Sequence, residues 1–365
     1  MSDTAPRPTQ RARRWRPSFQ VIQACTVLAL LLVLCAVSAA RTETFLTWRN
    51  LVSNLLTNAA YVGIIACGMT FVMVAGGFDL SVASTTTVCS VVAVLLLQAM
   101  GGHGAGPAFV VAVVGTMLAG SVLGAFNGVS VAYVGVNPFV TTLSTMLIFR
   151  GIALILTSGG QTLSVPLGLK KAFSQVYWGK IDPLAWPARW TGSSWLEKAR
   201  ASLDAYQVTV PILVFLGVFA ASVYLLRFTR FGHYVYAVGG NESASWLAGI
   251  NTSLVKATTY ALCGLTCAVA AVIYTGMSNT AQAASYKGLE LVVIASVIVG
   301  GTPLGGGSGG LFYTLIGLLL LSVIENLLPQ FGVAEEYRNI VRGLIILVVV
   351  AVDVSVRGTG RKARR

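Results

Sequence analysis

The 365-residue chain is strongly apolar, with 55% hydrophobic and only 10% charged residues and a mean hydropathy of +0.78. Soluble domains carry about 25% charged residues, so this composition excludes an ordinary soluble protein and indicates an integral membrane protein surrounded by membrane lipid. The net charge of +13 does not indicate a nucleic-acid partner, because the lysines and arginines concentrate in the tails and connections, as membrane topology requires.

The apolar runs predict an all-α integral membrane protein with about ten transmembrane helices (eight to ten), since about 20 apolar residues cross a bilayer. The predicted spans are 20–40, 58–76, 80–99, 107–133, 138–157, 208–226, 257–276, 289–301, 310–328 and 338–354. The stretch 43–57 resembles an amphipathic helix at the outer surface. The eighth span is short and glycine-rich, so a broken or re-entrant helix is an alternative there.

Both ends of the chain are basic. Residues 1–18 hold five arginines and three prolines and predict a disordered cytoplasmic tail, and residues 355–365 predict a second basic cytoplasmic tail. The length of the first apolar run, which has no clear cleavage pattern, favours a retained span over a signal peptide. The transmembrane domain is therefore predicted over residues 19–354.

Two long connections stand out. Residues 159–207 form a predicted extracytoplasmic loop whose tryptophans and basic residues indicate either a partner-docking surface or an interfacial belt: Trp178, Trp186, Trp190 and Trp195. Residues 227–256 form a predicted cytoplasmic connection. Within it, Asn241 is a good helix N-cap, Glu242 follows at the favoured acidic position and Gly249 is a natural stop, which predicts a short helix from Glu242 to Ala248.

Charged residues within the apolar runs need an explanation, because each costs about 2.5–3.5 kcal/mol at mid-bilayer. These are Asp79, Arg150, Glu290, Glu325 and Asp353. Asp79 lies in the sequence AGGFDLSVAS, which predicts a polar helix break that faces protein or a water-filled cavity. The alternative is that Asp79 caps the following helix.

Glycine spacing predicts close helix packing in the fourth span, where Gly120, Gly124 and Gly128 form GxxxGxxxG. Nearby amides and hydroxyls suit either an uncharged polyhydroxylated solute or helix-to-helix hydrogen bonds. The sequence GGTPLGGGSGG lacks the Lys-Ser/Thr pair of a phosphate-binding loop, so no nucleotide site is predicted there.

Little in the sequence indicates an enzyme or a metal site. The two histidines, His103 and His233, are far apart in the predicted topology and have no carboxylate spaced near them for acid–base chemistry. All six cysteines lie in apolar runs, which predicts no disulfide. Cys263 and Cys267 share a helical face, where packing is favoured over metal binding.

Several motifs, in order, resemble the permease subunits of bacterial ABC sugar importers, the family of the ribose, arabinose, xylose and galactose permeases. The motifs are GGFDLSVAS at 76–84, NG at 127–128, NPFVTTLSTM at 137–146, RG at 150–151, FGHYVYAVGGNESASWLAGIN at 231–251 and ELVVIASVIVGGTPLGGGSG at 290–309. The resemblance extends over about residues 58–353. Phe78, Ala83, His233 and Val292–Val293 depart from the usual family residues, so a role for a second carboxylate after Glu290 is in doubt.

The resemblance implies a permease that forms the translocation pathway for a monosaccharide in the bacterial cytoplasmic (inner) membrane. Its implied partners are a second permease copy or a paralogue, an ABC ATPase subunit and an extracytoplasmic sugar-binding protein. This chain would bind no cofactor, since ATP and Mg would bind to the partner ATPase. An ion-coupled secondary transporter, a membrane-embedded transferase and the import of a nucleoside, polyol or signalling furanose remain alternatives.

The resemblance also assigns roles to three groups of residues. The short cytoplasmic helix becomes the ATPase-coupling helix, which involves Asn241, Glu242, Ser243, Ala244, Trp246 and Gly249. The predicted translocation pathway comprises Asp79, Ser81, Asn127, Asn137, Thr141, Glu290, Glu325 and Asn326. The predicted hinge glycines are Gly76, Gly77, Gly300 and Gly301.

Overall fold

The computed structural model describes residues 19–181 and 208–334, together with Tyr337, Ile340, Val341, Gly343, Leu344 and Leu347. The two predicted tails, most of the predicted tenth span (338–354) and the second half of the 159–207 loop, with Trp186, Trp190 and Trp195, lie outside these residues. Within the described part, the chain is almost entirely helical, which confirms the predicted fold class.

Eight helices are long and apolar enough to cross a membrane. We label the helices in chain order: α1 (Phe19–Arg41), α2 (Thr57–Val74), α3 (Val82–Ala99), α4 (Ala105–Ala132), α5 (Pro138–Leu156), α6 (Leu167–Trp178), α7 (Val210–Phe228), α8 (Arg230–Gly240), α9 (Glu242–Leu247), α10 (Thr252–Ser278), α11 (Leu289–Gly300) and α12 (Leu311–Gln330). The shorter helices α6, α8, α9 and α11 connect or complete the eight long ones.

Two short strand pairs tie connections together. Strand β1 (Leu163–Ser164) pairs antiparallel with β4 (Thr280–Ala281), and β2 (Lys180–Ile181) pairs antiparallel with β3 (Val208–Thr209). The β1–β4 pair joins the connection after α5 to the one after α10, so both connections lie at the same end of the bundle.

The region before α2 differs from the prediction of a separate surface helix over 43–57. A π-helix spans Arg49–Leu56 and continues directly into α2, so the two form one 26-residue apolar unit. Within the π-helix, Asn50, Val52 and Leu55 are buried, whereas Asn54 is exposed. The apolar residues of this stretch, which suggested an amphipathic surface helix, belong to the same span as α2.

Helix α10 lies at the centre of the bundle and packs against α2, α3 and α4. A Cβ atom added to Gly120 or Gly124 would collide with backbone atoms of α10, and at Gly128 it would lie 2.6 Å from the carbonyl oxygen of Ala257. The predicted close-packing face is confirmed: the backbones of α4 and α10 approach because these residues have no side chain.

The bundle has two chemically different ends. At one end, which we call the α9 end, lie α8, α9, the α2–α3 connection and the glycine-rich α11–α12 connection, where Gly307 N donates to the Val74 carbonyl oxygen (2.8 Å). At the opposite end, which we call the cavity end, lie the π-helix, the C-terminus of α12 and both strand pairs. Helices α10 and α12 both run from the α9 end to the cavity end, and the shorter α11 (Leu289–Gly300) runs back between them.

A polar cavity and a glycine junction at opposite ends of the bundle

A cavity of about 550 Å³ opens among the π-helix, α2, α10, α11 and α12. Its lining is rich in amide, hydroxyl and charged side chains: Asn50, Asn54, Asn58, Tyr61, Tyr274, Tyr286, Lys287, Ser322, Glu325, Asn326 and Gln330. Polar lining on this scale inside a helical bundle marks a solute pathway more often than a packing defect, because buried polar groups are costly without partners.

An amide cluster forms one wall of the cavity. Asn50 and Asn326 bond reciprocally, with Nδ2 of Asn50 donating to Oδ1 of Asn326 at 3.0 Å and Nδ2 of Asn326 donating to Oδ1 of Asn50 at 3.1 Å. Gln330 Nε2 donates to Oδ1 of Asn326 at 2.8 Å. An amide has two donors and two acceptor lone pairs. Asn50 uses both of its donors, the second to the Phe45 carbonyl oxygen at 3.1 Å. One N–H of Asn326 and the Oε1 atom of Gln330, which has no hydrogen-bond partner among the described residues, remain for a solute.

Three tyrosines form an aromatic wall. The ring centroids of Tyr61 and Tyr274 are 5.4 Å apart in an edge-to-face arrangement, and those of Tyr274 and Tyr286 are 4.6 Å apart. Tyr286 has a φ of +63°, a left-handed conformation that is uncommon for a side-chain-bearing residue and brings the chain into the α11 half-helix. Amides opposite aromatic rings suit a neutral solute that carries many hydroxyl groups.

The structure separates the residues predicted for the pathway. Glu325 and Asn326 line the cavity. Asp79, Ser81 and Asn127 lie together at the α9 end, and none of them lines this cavity.

The cluster of Asp79, Ser81 and Asn127 is buried and internally bonded, except for Oδ1 of Asn127, which has no partner in the described part of the chain. Asp79, only 2% exposed, accepts from the backbone N–H of Ser81 at 2.8 Å and from its hydroxyl at 2.6 Å. Asn127 Nδ2 donates to Asp79 at 3.3 Å and to Ser81 Oγ at 2.8 Å. Asp79 therefore stabilises the turn that leads into α3. It does not itself cap the helix, because the N-cap residue is Ser81 and no side chain makes a cap hydrogen bond there.

The other three predicted residues occupy separate places. Asn137 is exposed and caps α5, since its side chain accepts from Phe139 N at 2.9 Å. The Oγ1 atom of Thr141 is buried without a hydrogen-bond partner among the described residues. Glu290 lies in the first turn of α11, beside cavity-lining Leu289, and its buried Oε2 likewise has no partner in the described part of the chain.

The short helix of the 227–256 connection is present as α9 and ends one residue earlier than predicted. Asn241 Oδ1 accepts from Ala244 N at 2.9 Å, and Gly249 follows with a φ of +84°, so the predicted cap and stop are both confirmed. All six predicted coupling residues are exposed: Asn241, Glu242, Ser243, Ala244, Trp246 and Gly249. Trp246 is 64% and Leu247 78% exposed, an unusual display of apolar surface on a polar connection.

Helix α8 connects α9 to the two glycine-rich connections, an arrangement that the sequence did not predict. A Cβ atom on Gly239 would collide with the Val74 carbonyl oxygen and lie 2.6 Å from Gly307 N. Tyr236 donates its hydroxyl to the Gly309 carbonyl oxygen at 3.0 Å, and burial, with a smaller contribution from Tyr313, raises the pKa of Tyr236. We call this contact between Tyr236, Gly239, Val74 and 306–309 the glycine junction.

The predicted hinge glycines border the junction and the neighbouring helix. Gly76 and Gly301 have positive φ angles of +86° and +117°. A Cβ atom on Gly77 would lie 2.6 Å from the Tyr260 hydroxyl, and one on Gly300 would collide with the backbone of α12. The backbone geometry requires glycine at these positions. A hinge role for these residues stays a prediction.

Most residues that line the cavity were not predicted from the sequence. Asn50, Asn54 and Asn58 are spaced four residues apart and share one helical face, so the repeat of asparagines at this spacing was the available signal. Asn326, the partner of Asn50, lies 276 residues away along the chain, and no local pattern predicts that contact.

The fold and the cavity define a multi-pass membrane protein with the features of a solute transporter. Residues 51–350 match the family described as branched-chain amino acid transport system / permease component. The chain is 34% identical to the ribose import permease protein RbsC of Escherichia coli (strain K12), over 94% of this chain and 98% of that one. It is 29% identical to the xylose transport system permease protein XylH of Haemophilus influenzae, over 90% and 95%, and 32% identical to the fructose import permease protein FruG of Bifidobacterium longum, over 85% and 84%.

The chain therefore belongs to this family of permeases and, with the sugar-import permeases it matches, is a permease subunit of the ABC sugar importer class. This confirms the resemblance drawn from the motifs. No solved structure matches the chain significantly.

Proposed function

We propose that this permease forms the inward pathway for a monosaccharide across the bacterial cytoplasmic membrane. An extracytoplasmic binding protein delivers the sugar, and a separate ATPase subunit drives transport and carries ATP and Mg. The observation that supports this most is the cavity of Asn50, Asn326 and Gln330, whose neutral amides match a hydroxyl-rich solute in a family of sugar-import permeases.

The orientation follows from charge. Basic tails favour the cytoplasm, which places both termini and the α9 end inside and the cavity end outside. A sugar released from the binding protein then meets the amide and tyrosine walls first. A second permease copy, or a paralogue, completes the pathway.

The ATPase acts on α9 in this proposal. Trp246 and Leu247 present apolar surface to a partner, and desolvated aromatic anchors of this type dominate the binding energy of many interfaces. Motion of α9 passes to α8, and from Gly239 and Tyr236 to the connections that end α2 and begin α12. Because these backbones are in direct contact, α8 cannot move without displacing them.

The test is sugar uptake in cells whose proton gradient has been collapsed while ATP is maintained. The proposal predicts that uptake of one of ribose, xylose or fructose persists and disappears when ATP is depleted. Loss of uptake on collapse of the gradient would instead establish the ion-coupled carrier.

The same assay distinguishes solutes. Nucleosides, polyols and branched-chain amino acids are tested as competitors at equal concentration. Competition by one of these in place of a monosaccharide would retain the architecture and overturn the sugar assignment.

A further inference from the structure

The connection between α10 and α11 lies inside the bundle. Helix α11 has 12 residues and a length of about 18 Å, whereas the hydrocarbon core of a bilayer is about 30 Å thick. Because α11 ends at the α9 end, residues 282–288, which precede it, lie at the depth of the membrane. We call them the tyrosine connection. Irregular backbone at this depth occurs only where it is buried in protein or lines a cavity.

The first half of the tyrosine connection is fixed to its neighbours, and the second half lines the polar cavity. Ala283 is buried in an apolar cluster with side chains of α3 and α5. The Thr87 hydroxyl of α3 donates to the Ser285 carbonyl oxygen at 3.2 Å. Tyr286 and Gly288, by contrast, line the cavity. The connection therefore forms the wall between the cavity and α3.

Tyr286 occupies an unfavourable position in this wall. Its φ of +63° is a left-handed conformation, which is strained for a residue with a bulky side chain. Its hydroxyl is buried beside the hydroxyls of Ser90 and Thr275, which bond to each other at 2.6 Å, and it has no hydrogen-bond partner among the described residues. A buried hydroxyl without a partner is costly. Strained residues persist only where neighbouring contacts hold them, and they cluster in segments that switch conformation.

Helix α11 links the tyrosine connection to the glycine junction. Gly288 precedes α11 with a φ of +81° and Gly301 follows it with a φ of +117°, conformations that glycine adopts at little cost. Between them, α11 is a continuous helix packed against α2 and α12. The chain after Gly301 reaches Gly307, whose N–H donates to the Val74 carbonyl oxygen in the junction. A shift of the junction therefore displaces α11 as a unit, and with it Tyr286.

We propose that Tyr286 is the gate of the solute pathway: it closes the cavity on the α3 side in this conformation and leaves that position when α11 moves. The inference rests on the proposed function, because the movement comes from the ATPase through α9, α8 and the glycine junction. In its second position, Tyr286 no longer needs a left-handed φ, and its hydroxyl meets water or the hydroxyls of the solute. These gains offset the loss of the contact with Tyr274, so a small displacement of α11 shifts the balance between the two positions.

The test is a reversible disulfide that fixes the tyrosine connection to α3. In a background without native cysteines, Thr87→Cys/Ser285→Cys joins two residues that are in contact. Oxidation should lower solute uptake about tenfold or more, and a reductant should restore it. Thr57→Cys/Thr209→Cys is the matched control, because these hydroxyls are 2.7 Å apart and join α2 to β3 away from the connection. The readout is the ratio of uptake with and without reductant, so it does not depend on which solute is carried or on what drives uptake.

A second measurement needs no cross-link. With the ATPase subunit trapped by vanadate, Ser285→Cys, at a half-buried position, should react with a small thiol reagent about tenfold faster than at rest. Thr209→Cys, at a buried position, should react no faster. Unchanged uptake by oxidised Thr87→Cys/Ser285→Cys, an equal loss in both disulfide variants, or unchanged reactivity of Ser285→Cys would overturn the proposal.

Discussion

Two polar regions of this protein contain similar residues and differ in how they are used. The Asp79–Ser81–Asn127 cluster is buried, and its hydroxyl, carboxylate and amide groups bond to one another. The Asn50–Asn326–Gln330 cluster borders an open volume of about 550 Å³. From the sequence, all three residues of the first cluster and only Asn326 of the second were predicted to line the pathway. The comparison shows that residue type does not distinguish a transport pathway from an internally hydrogen-bonded cluster. The volume accessible beside the residues does.

The physical reason is the backbone. Between α2 and α3 the helix stops, so backbone N–H groups lose their helical partners inside the bundle and require an acceptor. Asp79 supplies that acceptor for Ser81. Around the amide cluster the backbone is helical, so it makes fewer demands on the side chains, and one N–H of Asn326 and Oε1 of Gln330 remain available to a solute.

The largest effect is expected at the glycine junction, where α8 contacts the end of α2 and the connection before α12. Gly239→Ala introduces a Cβ atom against the Val74 carbonyl oxygen and should lower the uptake rate about a hundredfold. Gly240→Ala is the matched control, because nothing lies within 4 Å of its Cβ position. Sugar uptake by both variants, at equal membrane levels, measures the difference; equal uptake would exclude a transmitting role.

The second-largest effect is expected on the stability of the fold. Asp79→Ala leaves buried donors of Ser81 and Asn127 without an acceptor and should lower the free energy of unfolding by about 3 kcal/mol. Asp79→Asn keeps one acceptor oxygen and should lower the free energy of unfolding by a smaller amount. Thermal unfolding in detergent measures both. A stable Asp79→Ala protein that fails to transport would instead place Asp79 in the pathway.

A smaller effect is expected in the cavity. Asn326→Ala removes an amide that faces the solute and should raise the KM for uptake about tenfold. It also leaves buried Asn50 without its reciprocal partner, so the free energy of unfolding should fall by about 1 kcal/mol. Asn137→Ala, which alters an exposed helix cap at the other end, should leave KM unchanged. A similar KM change in both variants would show that it does not report on the cavity.

The smallest effect concerns the exposed ion pair between Glu242 and Lys256, whose side chains are 2.5 Å apart. Lys256→Gln should change stability by about 0.5 kcal/mol or less, because water screens exposed pairs. Trp246→Ala, on the same helix, should uncouple ATP hydrolysis from uptake. An equally strong transport defect in Lys256→Gln would mean that the pair, rather than the apolar surface, transmits the motion.

Local signals predicted much of the fold. The apolar runs gave the spans, Asn241 and Gly249 gave both ends of α9, and the glycine spacing in α4 gave its contact with α10. The amide cluster and the glycine junction could not be predicted, because each joins residues distant in sequence. At the glycine junction the contacts are mainly between backbone atoms, so the amino-acid sequence carries almost no information about them.

The most direct test of the account compares two serines in a background without native cysteines. Ser322→Cys lies in the cavity lining, and Ser81→Cys lies in the sealed cluster. A membrane-impermeant thiol reagent should modify Ser322→Cys, the transported sugar should slow that reaction, and Ser81→Cys should stay unmodified. Sugar-protected modification of Ser81→Cys, with Ser322→Cys unreactive, would contradict the assignment of the pathway to the Asn50–Asn326 cavity.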